Sequence, residues 1–393
     1  MVGINLALIV FSPFLCFVPL FFLFFYLVHT EQMEYKNLWI KGLFLLFLWS
    51  VLVGIINMQL VSCLAGLAFL GYLGLSIYIH NYCHTDTCAE KLFFSLFLFT
   101  VASSFLGILE KVNIITYHPT WWKYLFGLCT LIKNEENLLR ITGTFGNSNF
   151  AATWYAVFIL VGFYFFEKTG GKKRVLLAAG VIMLAVALVM TESRGALIGL
   201  FLGIIVYDFM SRQKSKMYIR LCILLVFMLN SSEWLPRGDV LYPSIDLRQA
   251  IWQNCFNMFL KKPVAGWGIM GIYFADGNVY QYLRVLHAHN TLLSVATMLG
   301  TVGIVIFAAM EWYVLRGIKT LHFHHCTLTP LLSGIQAVFI GHGIFDFTIM
   351  GTQVGILFVG CSAVVGALAS SYTDNKAQVV IGQNAQPAQQ YKG

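Results

Sequence analysis

The chain has 393 residues, 59% of them hydrophobic and only 11% charged, with a formal net charge of +8. Soluble domains carry about 25% charged residues, and here the apolar residues fall in long unbroken runs, which argues against a water-soluble globular domain. The positive balance therefore bears on membrane orientation, not on nucleic-acid binding. The nine cysteines are scattered singly, mostly in apolar runs as at Cys16, Cys63 and Cys222, and imply no disulfide framework.

A run of about 18 apolar residues crosses the ~30 Å hydrocarbon layer as a helix. The runs lack the period-2 alternation of barrel strands, so helices are expected. Candidate spans fall at about 4–28, 38–56, 60–80, 92–109, 148–166, 175–191, 195–210, 219–232, 291–315, 329–349 and 352–370. This is the pattern of an all-α, polytopic integral membrane protein with about 11–12 transmembrane helices. The run from Ile4 to Val28 is too long for a signal-peptide core and reads as a retained helix. Residues 1–109 form a nearly charge-free set of N-terminal helices, 110–370 a core that holds most of the polar chemistry, and 371–393 a polar tail expected to be disordered and cytoplasmic.

Orientation follows from the connectors. EKTGGKKR (167–174) and SRQKSKMYIR (211–220) carry four positive charges each and RGIKTLHFHH (316–325) two, and all three fall on one face. The positive-inside rule makes that face cytoplasmic. The long segments 110–147 and 231–290 then face outward, the second as a large extracytoplasmic loop.

Four stretches share the outer face. RITGTFGNSNFAA (140–152) makes a tight turn in which Asn147 or Ser148 can cap the next helix; it reads either as a plain cap or as an amide cradle for an anion. TESRGALIGL (191–200) is a hairpin tip that holds Glu192 and Arg194 near the membrane surface. Arg194 is either paired with Glu192 or headgroups, or a fixed cation for a phosphate, with Gly195 leaving room for a bulky ligand. SIDLRQAIWQNCFNMFLKKPVAGWG (244–268) repeats apolar residues every four positions, at Leu247, Ile251, Cys255 and Phe259. It is an amphipathic helix capped by Ser244 and stopped by Pro263 and Gly266, with Arg248 on its first turn. RVLHAHNTLL (284–293) places Arg284, His287 and His289 just before a span that Asn290 or Thr291 can cap, and a histidine there offers a general base. His342 and Asp346, four apart in one span, either support this site or satisfy each other. HFHH (322–325) and CHTDTC (83–88) have close ligand spacing but no second matched pair, so no metal is expected.

The ordered set FGNSNFAA, TESRGAL, DLRQAIWQNCFNMFLKKPVAGWGIMGIY and HAHNTLLSVATMLGTVGI resembles the O-antigen ligase/polymerase superfamily over roughly residues 140–350. The resemblance implies a bacterial cytoplasmic (inner) membrane enzyme with its active site on the outer face. It would move a glycan from an undecaprenyl-diphosphate-linked oligosaccharide to a lipid-core or glycan acceptor, and would need no cofactor. It implies that Arg194, Arg248 and His289 are catalytic, His289 being the histidine that directly precedes Asn290. His287, Arg284, Asn290, Asn147, Arg140 and Trp252 are expected to bind substrate. Trp234, Trp252, Trp267, Tyr273, Tyr280 and Tyr282 could roof the cavity over sugar rings. Membrane lipid, and for a polymerase a chain-length regulator, are the expected partners. The alternative is a polytopic transporter or lipid-linked glycan flippase, which would need charges lining a path through the membrane and, commonly, matched broken helices.

Overall fold

The structure is a computed structural model and describes residues 2–33, 37–112, 121–127, 140–229, 241–275, 277 and 285–384. All regular structure among the described residues is helical. In chain order the helices are α1 (Val2–Phe11), α2 (Phe17–His29), α3 (Leu38–Ile56), α4 (Leu60–Gly66), α5 (Ala68–Tyr82), α6 (Asp86–Lys111), α7 (Trp121–Leu125), α8 (Ser148–Lys168), α9 (Gly171–Met190), α10 (Arg194–Met210), α11 (Lys214–Leu229), α12 (Leu241–Lys261), α13 (Gly271–Phe274), α14 (Thr291–Phe323), α15 (Thr329–Gly343) and α16 (Thr352–Asn384). Among the described residues seven helical segments are long and apolar enough to cross a membrane, with α4 and α5 together forming one of them. α10 and α15, at 17 and 15 residues, are just short of that length.

The structure corrects several boundaries. The first apolar run is not one helix: it breaks between Phe11 and Phe17, around Pro13, which has no N–H to offer a helix. The amphipathic helix begins at Leu241, a turn before Ser244. α16 carries helix past Ser371 to Asn384, and residues 385–393 lie outside the described residues.

α10 and α15 pack backbone to backbone. A Cβ on Gly199 would lie 2.9 Å from the Val338 carbonyl oxygen, and one on Gly203 2.9 Å from that of Gly334. Small residues at four-residue spacing let helices approach this closely in a membrane. Gly195 belongs to the same stripe: its Cβ would meet the His342 ring at 2.8 Å and Phe345 Cβ at 3.2 Å. It therefore serves helix packing, not ligand access, and it sets the first residue of α10, Arg194, beside His342.

α14 breaks at Gly300, where φ is 65° and ψ −166°. Such a break frees backbone groups that must be satisfied inside the protein. The segment Pro263–Gly268 supplies most of them. Trp267 N donates to Thr297 O (3.0 Å), Gly268 N to Met298 O (2.8 Å), and Thr301 N to Pro263 O (2.7 Å). Trp49 Nε1 donates to Leu299 O at 2.8 Å. α12 is thereby docked along the first half of α14, with Ile251, Cys255 and Met258 buried and Phe256 and Leu260 exposed.

The bundle has two chemically distinct ends. At one end Lys168 pairs with Glu90, Lys216 with Glu167 (3.2 Å) and Arg220 with Asp208 (2.6 Å). There Asp86 also accepts from Thr327 Oγ1 (2.9 Å) and Tyr372 OH (3.2 Å), so the CHTDTC and HFHH neighbourhoods are tied to each other by hydrogen bonds. The eight described cysteines are free. At the other end lie the starts of α8, α10 and α14 and the C-terminus of α15.

Candidate active site

Four chain segments meet at that second end. Asn147 caps α8, its Oδ1 accepting from Asn149 N (2.8 Å) and Phe150 N (3.4 Å). The amides that could have cradled an anion are thus taken by the cap. Behind the turn, the Glu110 carboxylate accepts from Gly143 N (2.9 Å) and Thr142 N (3.1 Å). Arg140 is pinned by two bonds: Nε donates to Thr191 O at 2.7 Å and Nη2 to Asn149 Oδ1 at 2.8 Å. Thr191 ends α9 and stands three residues before Arg194, so Arg140 clamps the hairpin tip to the start of α8.

Asn149 continues the chain of contacts. Its Nδ2 donates to Asp346 Oδ2. The other carboxylate oxygen, Oδ1, lies 3.0 Å from His289 Nδ1, 3.6 Å from His287 Nδ1, and accepts from Phe347 N at 2.8 Å. Asp346 is buried, and it is not part of the preceding helix: α15 ends at Gly343. The sequence alternative in which His342 and Asp346 satisfy each other is overturned. His342 instead bonds Thr153 Oγ1 through Nδ1 (2.7 Å) and lies 3.5 Å from Ser193 Oγ through Nε2.

The two histidines of HAHN differ. His289 is partly exposed, with 29% of its side chain accessible, and its backbone is left-handed at φ 48°. A non-glycine residue there is uncommon, and such outliers cluster at functional sites. With a carboxylate as partner, Nδ1 is the protonated nitrogen and Nε2 carries the lone pair. His287 is buried, its ring centroid 4.5 Å from that of His289, and its Nδ1 accepts from His289 N at 3.2 Å. Asn290 caps α14, accepting from Leu293 N (2.9 Å), and its Nδ2 donates to Ile344 O (3.0 Å), so the helix start is fixed to the Asp346 segment.

Burial pushes the His287 imidazole down to about 4; Asp346 pulls the other way, while His289 and Arg248 add to the fall. The folded chain thus keeps His287 neutral between 6.5 and about 4, where the unfolded chain takes up a proton. Stability is expected to fall as pH drops through that window, by on the order of 3 kcal/mol when complete. Thermal unfolding of purified protein at pH 7 and pH 4.5, compared with His287→Gln, measures it: the variant should show the shallower acid loss, and equal slopes would remove His287 as the cause.

Arg248 is half-buried on α12 and close enough to act electrostatically on both His287 and His342; Arg140 also acts on His342. Arg194, half-buried, starts α10 directly after Ser193. Its neighbour Glu192 pairs with Lys111 at 3.6 Å. Trp252, one turn after Arg248, has a buried indole Nε1 without a hydrogen-bond partner among the described residues. Trp267 is structural: its Nε1 donates to Met258 O (2.8 Å), and Lys262 Nζ lies 4.0 Å from its ring centroid. Arg284, Trp234, Tyr280 and Tyr282 lie outside the described residues.

The structure therefore gathers His287, His289, Asn290, Asn147 and Arg140 around Asp346, with Arg248 in electrostatic reach and the backbone of Arg194 beside His342. Asn149 is a member that the sequence reading passed over. The one signal for it was its position in the NSN turn. Among the described residues, His287, His289 and Asp346 are the group whose ligand atoms could meet on a cation, lying within 4.8 Å of one another. Two of those atoms are otherwise engaged, since His287 Nδ1 accepts a backbone N–H and His289 Nδ1 faces the carboxylate.

Residues 178–308, about a third of the chain, match the family model described as O-antigen ligase, which supports the likeness to the O-antigen ligase/polymerase superfamily. The match contains Arg194, Arg248, His287 and His289, while Arg140, Asn149, His342 and Asp346 flank it. It supports glycan transfer of the ligase/polymerase type by a multi-pass membrane enzyme acting on a lipid-linked oligosaccharide and a glycan acceptor. No curated protein matched the chain.

Proposed function

We propose that this chain transfers a glycan from an undecaprenyl-diphosphate donor to an acceptor hydroxyl on the outer face of the bacterial cytoplasmic membrane. The observation that carries this reading is the His289–Asp346 pair at the bundle end opposite the lysine-rich connectors. By the positive-inside rule the connectors face the cytoplasm, and the pair then faces outward. Helices before residue 110 frame the core, and the chemistry lies between 110 and 370.

Asp346 holds the His289 ring so that Nε2 faces the acceptor. Nε2 takes the hydroxyl proton as the acceptor oxygen attacks the anomeric carbon, and Asp346 stabilises the imidazolium that results. The bond from the anomeric carbon to the phosphate oxygen breaks, and its electron pair leaves on the diphosphate. Arg194 and Arg248 neutralise that charge as permanent planar cations. Two such cations can stabilise the leaving group without a metal ion. A single in-line attack inverts the anomeric centre. The unpartnered Trp252 N–H is free to meet a sugar hydroxyl or a phosphate oxygen.

Full-length protein in nanodiscs, given undecaprenyl-diphosphate-linked glycan and acceptor, tests the assignment. Arg248→Ala and Arg194→Ala are each expected to lose about 10²–10³-fold in kcat, with Arg→Lys recovering only part. Wild-type kcat in both alanine variants at normal expression would overturn the role of the arginines. One addition per acceptor identifies a ligase; a ladder identifies a polymerase, and with it a chain-length regulator as partner. Among the described residues the ion pairs gather at the bundle's ends, which favours transfer over the flippase alternative.

A further inference from the structure

Arg140 and Asn149 stand behind the imidazole–carboxylate pair, and the transfer chemistry described above uses neither. Arg140 is half-buried in the segment before α8. Its Nε donates to Thr191 O at 2.7 Å and its Nη2 to Asn149 Oδ1 at 2.8 Å. Asn149, on the first turn of α8, donates through Nδ2 to Asp346 Oδ2. Its backbone N–H is held by the Asn147 cap at 2.8 Å, which fixes where its side chain starts. A guanidinium has five N–H donors and no acceptor. The amide atom that faces it must therefore be the oxygen, and the NH2 is turned to the carboxylate. A reversed amide would set N–H against N–H on one side and oxygen against an anion on the other. The other carboxylate oxygen, Oδ1, lies 3.0 Å from His289 Nδ1 and also accepts from Phe347 N at 2.8 Å. One directed row thus runs from Arg140 through Asn149 and Asp346 to His289.

We propose that Arg140 and Asn149 are positioning residues of the transfer reaction: Arg140 fixes the Asn149 amide, and Asn149 fixes Asp346 so that its second oxygen orients the His289 ring. The inference rests on the transferase reading, and it gives Arg140 a role other than the substrate contact that the sequence suggested. Two features carry it. The Nε and Nη2 of Arg140 are already engaged by protein oxygens, and a fork so engaged is a poor partner for a bidentate phosphate. Its contact with Thr191, three residues before Arg194, also ties the arginine end of the site to the histidine end. A hydrogen bond donated to an ionised carboxylate is about twice as strong as one between neutral groups, and the guanidinium polarises the amide that donates it. Without that bond Asp346 would keep its charge but lose its direction, and a catalytic group displaced by ~1 Å can cost about 10²-fold in rate.

The test uses full-length protein in nanodiscs with an undecaprenyl-diphosphate-linked glycan and acceptor. Asn149→Ala is expected to lower kcat about 10–10²-fold with donor KM unchanged. Arg140→Met, which keeps the stem and removes the donors, should lose nearly as much. The double variant should lose no more than about 3-fold beyond Asn149→Ala, because residues acting through one another are not additive. Arg140→Lys, still able to donate to the amide, should recover most of the loss. Asn149→Asp keeps the pairing with Arg140, and with it the tie to the hairpin tip, but sets a second negative charge beside Asp346. The acidic limb of the pH–rate profile should then move to higher pH, since a neighbouring anion favours the imidazolium. The other charged and titratable groups around the pair, His287, His342 and Arg248, are untouched by that change. Carbethoxylation of His289 by diethyl pyrocarbonate, followed by mass spectrometry without substrate, should show the same displacement. A raised donor KM with wild-type kcat in Arg140→Met would make Arg140 a phosphate contact and overturn the proposal. Losses that multiply in the double variant, or an unmoved carbethoxylation midpoint in Asn149→Asp, would overturn it too. Wild-type protein inert with every polyprenyl donor, beside a displaced midpoint in Asn149→Asp, would support the row and sink the transferase reading instead.

Discussion

His289→Asn is expected to lower kcat for glycan transfer by about 10²–10⁴-fold, the usual contribution of a positioned general base, while donor and acceptor KM change little. Asparagine is the informative replacement because position 289 is left-handed at φ 48°, a conformation that asparagine tolerates and alanine does not. A loss seen in His289→Asn therefore reports chemistry and not a displaced helix start. Asp346→Asn separates positioning from proton transfer. The amide still fits between His289 and Asn149 but carries no charge, and it can present an N–H to Nδ1. The wrong tautomer then puts the proton on Nε2, where the acceptor must deliver one. Its kcat is expected to fall by about 10²-fold or more, and the acidic limb of its pH–rate profile, where a base must be free of its proton to act, should shift, an effect that simple loss of packing would not produce. His287→Gln should cost far less than either, since His287 is buried and already accepts a backbone N–H. Near-wild-type kcat in a well-expressed His289→Asn protein would reject the base assignment, and His287→Gln as the more damaged variant would transfer it to the neighbouring ring.

The parts of this site that the sequence displayed are those built on helix starts. Asn147 and Asn290 announce themselves as caps before apolar runs, and both cap. Arg248 shows as the cation at the head of an amphipathic repeat whose Ile251 and Cys255 are buried. What stayed hidden depends on contacts between segments remote in sequence. Asp346 lies 57 residues from His289 and 197 from Asn149, inside a run that reads as continuous span. Nothing local tells that α15 stops at Gly343 and turns the carboxylate toward HAHN instead of toward His342. Gly195 illustrates the opposite error. Beside an arginine it suggested room for a ligand, whereas the spacing to Gly199 and Gly203 carried the real information, a close helix pair. The split of the first apolar run was legible in Pro13, but hydrophobic length alone outweighed it.

The break in α14 had no such signal, because SVATMLGTVGIVIF reads as uninterrupted membrane helix, and it yields the largest structural prediction. Gly300→Ala is expected to prevent accumulation of folded protein. At φ 65° and ψ −166° the residue sits where essentially only glycine is found, at a cost of about 1–3 kcal/mol for any other. The added Cβ would also fall 2.1 Å from the Val264 carbonyl oxygen and 2.4 Å from its carbon. These are backbone atoms of the segment whose hydrogen bonds replace the missing helical ones, so they cannot move aside without unpairing Thr297 O, Met298 O and Thr301 N. Each unpaired backbone group at membrane depth costs a further several kcal/mol. Gly266→Ala should behave alike, since its Cβ would lie 2.6 Å from the Met298 carbonyl at φ 71°. Gly170→Ala, where nothing lies within 4 Å, is the control and should purify as wild type. The measurement is the yield of monodisperse protein and its Tm. If Gly300→Ala purified with a wild-type Tm, α14 would have to run unbroken through this point, and the docking of Pro263–Gly268 at the end of α12, the helix that carries Arg248, would be lost with it.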